Sequence, residues 1–131
     1  MNVELVIAGV ICLAVAVGHA STGLVWVLPR LSVDHMPSTP FGPPVRTAGM
    51  IRFTFHFVTI VLVTFAVLLM TLAWAEDSDT KTLLLRGFAA FWLAAFALAL
   101  WVARSRLRDL WRLPAPFLFV ILAVLCLKGS A

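Results

Sequence analysis

Residues 53–75 read FTFHFVTIVLVTFAVLLMTLAWA, a run without a single Asp, Glu, Lys or Arg. A helix needs about 20 such positions to cross the hydrocarbon core of a bilayer, and this run has them. Membrane β-strands would alternate apolar and polar residues, which this stretch does not do. Three further blocks have the same character, over 5–28, 83–103 and 111–127. Hydrocarbon offers no partner to a backbone N–H or C=O, so each block is predicted to be an α-helix that pairs these groups internally. The fold class expected is an all-α membrane protein, a four-transmembrane-helix bundle occupying 1–131 as a single transmembrane domain.

The composition points the same way. Of 131 residues, 63% are apolar and 12% charged, against about a quarter charged in soluble domains. Mean hydropathy is +1.06. The net charge of +4 does not indicate nucleic acid, because the basic residues flank the apolar blocks as membrane orientation signals do. Cys12 and Cys126 lie inside blocks with no CxxC or Cys/His spacing, which predicts buried thiols acting as small hydrophobes. The first block carries Glu4 where a signal peptide has a basic segment, so it is read as a retained span.

Orientation follows from Lys and Arg. Arg30, Arg46 and Arg52 lie around the first loop, and Arg104, Arg106, Arg108 and Arg112 follow the third span, making seven of the ten basic residues. That side is predicted to be cytoplasmic, which leaves both termini on the outer side. Trp26, Trp101 and Trp111 fall near one boundary and Trp74 near the other, as an aromatic belt would place them. The string RSRLRDLWR, 104–112, is a topology signal that also suits anionic headgroups. The loop over 29–49 contains Pro37, Pro40, Pro43 and Pro44, which favour extended backbone. It reads as a stiff cytoplasmic linker or a cap over that end of the bundle, with His35 solvated.

His19 and His56 are the chemical lead. Counted at 1.5 Å per residue, His19 lies roughly 13 Å from the end of its span and His56 roughly 6 Å inside the next. The spans run antiparallel, so the two imidazoles could share a level. Cys12, Ala16, Gly23 and Trp26 share the face of His19, and Arg52, Thr59, Ile60 and Val63 that of His56. Ala14, Gly18 and Thr22 form a small-xxx-small series of the kind that lets helices approach closely. The alanines of span three (Ala89, Ala90, Ala94, Ala95, Ala97 and Ala99) predict a helix packed closely on both sides. Three roles suit the histidines: hydrogen bonding to Thr22, Thr59 or a carbonyl; ligation of haem b or a metal; or a proton relay. A bare metal lacks a third ligand at this depth, and no carboxylate lies inside any span, as a cation pathway would want.

The run GHASTGLVWVLPRL, 18–31, with Arg52 and the following FHF at the start of span two, resembles an uncharacterised family of small four-helix bacterial inner-membrane proteins. The segment LVWVLPRLSVDH, 24–35, is more weakly similar to the bacterial membrane protoporphyrinogen oxidase family. There a span-one histidine precedes a Trp by seven residues, as His19 precedes Trp26. The charged Glu-Arg-Arg stretch of that family ahead of span two is missing here. The resemblance implies His19 as a haem contact.

No Ser/His/Asp set, paired carboxylate or phosphate-cradling loop is present, which argues against an enzyme. The expectation is a multi-pass protein of the bacterial inner membrane, a non-enzymatic accessory or assembly subunit contacting lipid and other membrane subunits or its own copies. The alternative is a haem- or metal-binding redox protein, with His19 and His56 as ligands and Trp26 and Arg52 beside them. A small transporter is third.

Overall fold

The computed structural model describes residues 1–40, 42–104 and 115–130. These contain four α-helices and no strand: α1 (Val3–Thr22), α2 (Pro44–Trp74), α3 (Asp79–Ala103) and α4 (Ala115–Gly129). With the irregular turns that follow it, α1 forms a helical rod over Val3–Arg30. This rod, α2 and α3 are each long and apolar enough to cross a membrane; the described part of the fourth, Pro116–Gly129, is shorter. Of the predicted span 111–127, residues 111–114 lie outside the described residues, as does most of the basic string. Only 28%, 22% and 17% of the three apolar windows is buried inside the chain. Apolar surface of this extent suits an apolar surrounding, lipid or other protein.

Two boundaries differ from expectation. Helix α2 starts at Pro44, nine residues ahead of 53, because a proline at the first helical position loses no hydrogen bond and already has helical φ. The Pro43 carbonyl then accepts from the Arg46 and Thr47 amides, at 2.9 and 3.4 Å. Pro44 therefore opens the helix that a proline-rich stretch seemed to forbid. Helix α3 starts four residues early, at Asp79, because the Ser78 hydroxyl caps it by accepting from the Lys81 amide at 3.2 Å.

The chain forms two compact units, Met1–Cys12 with Phe65–Ala131, and Leu13–Thr64. In the first, all four helices meet. Asn2 joins three of them: its side-chain oxygen caps α1 by accepting from the Leu5 amide at 3.1 Å, its backbone N–H donates to the Ala73 carbonyl at 2.8 Å, and its amide nitrogen donates to the Gly129 carbonyl at 3.4 Å. Gly129 has no side chain because Leu5 occupies the space; a Cβ there would stand 2.8 Å from Leu5 Cγ. Lys81, only 5% exposed, reaches back to the end of α2, donating to the Ala75 carbonyl at 2.9 Å and the Asp77 carboxylate at 2.8 Å. That hydrogen bond, with the charge behind it, holds the Asp77 carboxyl below the usual carboxylate range. At the core, Trp92 is 1% exposed and lies among Phe65, Phe91 and Phe119, with ring centroids 4.9–5.6 Å away. Cys12 and Cys126 are buried and not in disulfides, as expected.

Helix α3 does not pack on both sides. Its buried residues are Lys81, Leu85, Ala89 and Trp92, one stripe at helical spacing. Ala90, Ala94 and Ala97 are exposed and Ala95 and Ala99 half-buried, since alanines on every side of a helix do not specify which side meets a neighbour. Ala14, Gly18 and Thr22 are likewise exposed, and a Cβ on Gly18 would meet nothing within 4 Å.

Trp92→Ala should lower stability by about 3–5 kcal/mol in reversible unfolding from mild detergent. Trp74→Ala, at a position 72% exposed, should stay within about 0.5 kcal/mol of the parent. The Asp77 carboxyl ionises more readily in the folded chain, so its stabilisation is present above the ordinary carboxylate range and fades as pH falls through its lowered value. Lys81→Met should therefore lower the thermal midpoint at pH 7 and reduce the further drop on going to pH 3.

Candidate functional site

The second unit, Leu13–Thr64, contains the end of the α1 rod, the connecting loop and the first part of α2. Pro29 cannot donate to the carbonyl four residues back, and the helix adjusts before reaching it. Gly23–Val27 opens into a π-turn, with the Leu28 amide bonded to the Gly23 carbonyl, and Leu28–Arg30 tightens into a 3-10 turn. Such local widening recurs where a helix shapes a site. Gly23 is buried at the start of this turn, and a Cβ on it would lie 2.6 and 2.7 Å from Cδ1 and Cζ of Phe55. The same Phe55 ring stacks on the His19 imidazole, with centroids 4.0 Å apart and planes 17° from parallel. One aromatic ring of α2 is thus seated against two successive turns of α1.

His19 Nδ1 lies 3.0 Å from the Thr59 hydroxyl, which itself donates to the Phe55 carbonyl at 3.3 Å. A threonine hydroxyl has one proton. With that proton on the Phe55 carbonyl, the hydroxyl accepts from His19, and in that arrangement Nδ1 carries the hydrogen. Neutral His19 then has its lone pair on Nε2, which has no partner among the described residues. A second-position hydrogen bond that fixes the tautomer is how proteins orient an imidazole for ligation or for acid–base work.

His19 also lines a cavity of about 500 Å³, within the range of small-molecule sites. Met50, Ile51, Phe55 and Val58 supply apolar wall; Thr39, Thr47 and Thr54 supply hydroxyls. The loop reaches this cavity through Thr39, so it is folded against α2 rather than being an extended linker. The Thr47 hydroxyl donates to the Pro37 carbonyl at 3.1 Å, and Thr39 and Gly42 exchange two backbone bonds of 3.1 and 2.9 Å. Gly42 sits at φ 141°, a conformation that L side chains rarely adopt. His35 is exposed, as expected.

Of the four predicted site residues, only His19 is in the cavity. His56 and Arg52 are exposed on α2 and line none of it. The inward face of α2 is set by Phe55 and Thr59, one helical turn apart, and His56 is about 100° around the helix from Phe55. Trp26 is 57% exposed and has the Arg30 guanidinium over its ring at 5.1 Å, which suits an interfacial anchor. Haem between His19 and His56 does not fit: the side of His19 that faces α2 is filled by Phe55. No cluster of three or more His, Cys, Asp or Glu suited to a metal ion exists among the described residues. Phe55, Thr54, Thr47, Thr39 and Met50 were not singled out in the sequence; the Phe55–Thr59 spacing was the available signal. No protein-family model, curated protein or solved structure matches the chain.

Gly23→Ala should displace Phe55 and cost about 1–3 kcal/mol. Phe55→Ala should be destabilising alone yet relieve part of that loss in the double variant, a non-additivity readable from unfolding in detergent.

Proposed function

We propose that this chain is a small, non-enzymatic accessory or assembly subunit of the bacterial inner membrane, crossing it four times with both termini outside. The carrying observation is the mismatch between the apolar surface of its helices and how little of it the chain covers. Less than a third of each long apolar window is buried within the molecule. Lipid can cover the plain apolar positions, but α2 also exposes His56 and Arg52 beside Phe53 and Phe57. Polar side chains at such depths usually face protein or water rather than acyl chains. Neighbouring subunits, or further copies of the chain, would satisfy them.

Benzoylphenylalanine placed at Phe57 and irradiated in native membranes should give a discrete protein adduct, weakened several-fold by His56→Leu. A monomer modified only by lipid would overturn the subunit reading. Reporters fused to the C-terminus should be active only on the outer side, and a cytoplasmic signal would reverse the orientation. The protein purified in mild detergent should be colourless; a Soret band abolished by His19→Ala would favour a haem protein instead.

A further inference from the structure

We propose that the His19 cavity is a binding site for a neutral, hydroxyl-bearing amphiphile drawn from the bilayer, whose hydroxyl donates to His19 Nε2. The proposal goes beyond the subunit role and does not depend on it. Three observations carry it. The cavity of about 500 Å³ has the size of a small-molecule site and a largely apolar wall. With the Thr59 proton turned to the Phe55 carbonyl, neutral His19 carries its hydrogen on Nδ1, and Nε2 is an acceptor without a partner among the described residues. Thr54 also lines the cavity, and its hydroxyl makes no hydrogen bond among the described residues.

That pattern selects a ligand chemistry. No residue lining the cavity is acidic, so nothing there neutralises a cation. None is Lys or Arg, so an anion finds no permanent counter-charge. A lone imidazole without further ligands is a poor metal site. An acceptor nitrogen without a charged partner matches an alcohol or phenol whose O–H donates to Nε2, with the Thr54 hydroxyl of the same cavity able to give or take a further hydrogen bond. The remainder of the ligand must be apolar, to replace lipid against Met50, Ile51 and Val58.

The test compares two probes that differ only at the donor, 4-octylphenol and its methyl ether 4-octylanisole, titrated into the full-length protein in lipid nanodiscs. The phenol should saturate one site with at least about tenfold higher affinity than the ether, the worth of one hydrogen bond. His19→Phe, keeping a flat ring against Phe55, should reduce the phenol to the affinity of the ether. In protein labelled with ¹⁵N-histidine, the phenol should move the Nε2 resonance of His19 while the ether leaves it in place, a readout independent of any variant's folding. Equal affinity for the two probes would make the cavity a purely apolar pocket and overturn the proposal. So would failure of the phenol to saturate a site, or a His19 resonance that does not respond.

Discussion

Hydrocarbon gives a polar group no partner, and several polar side chains along these helices answer to that constraint. Thr59 and Thr71 donate to the carbonyls four residues back, at 3.3 and 2.9 Å, the local solution open to a hydroxyl on any helix. Asn2 and Lys81 do the equivalent at helix ends, taking up carbonyls that the last turns of α2 and α4 leave unpaired. His19 is different. An imidazole is too long to reach its own helix backbone comfortably, so it crosses to α2. There the Thr59 hydroxyl lies 3.0 Å from His19 Nδ1 and 3.3 Å from the Phe55 carbonyl, so one hydroxyl serves its own helix and a histidine of another.

The all-helical architecture was legible in the sequence because it depends on totals: the apolar blocks and their lengths. Which way each helix faces was not, because these helices are apolar all round. On a soluble protein a polar face marks the outside; on α2, Phe, Val, Ile and Leu occupy every side, and period alone selects no direction. Taking the stripe of Arg52, His56 and Thr59 as the inward face was reasonable on polarity. It rotated the helix by enough to exchange His56 for Phe55. Hydrogen bonding of a histidine to Thr22, Thr59 or a carbonyl was one of three roles the sequence left open, and His19 makes the contact to Thr59, which lies on both the expected and the actual face.

Glycine shows the same limit. Gly18 and Gly23 look alike in sequence, five residues apart in one apolar run, and only one of them matters for packing. Gly18 borders open space, while Gly23 admits the edge of an aromatic ring. What separates them is the π-turn before Pro29. The proline demands relief from the turn preceding it, and a residue without a Cβ lets that relief coincide with close approach of Phe55. Pro29 was visible in the sequence as the end of a span, and its further consequence was the geometry of the four residues before it.

The loop and the core each modify a general expectation. Four prolines suggest an extended, inert connection, yet Pro44 begins a helix and Pro37 accepts a hydrogen bond from Thr47, so the prolines stiffen a folded segment that walls part of a cavity. In the core, the Trp92 indole N–H is buried without a partner among the described residues. In water-based folding an orphan of this kind would cost about 1–3 kcal/mol, since the unfolded chain would solvate it. For a helix already inserted in lipid, the separated state has little water to offer either, so the cost of leaving Trp92 unpaired is smaller. The aromatic contacts with Phe65, Phe91 and Phe119 can then decide its position. The core of this protein therefore selects for ring shape over hydrogen-bond satisfaction, while the His19 cavity, where a nitrogen is both fixed and open, selects the reverse.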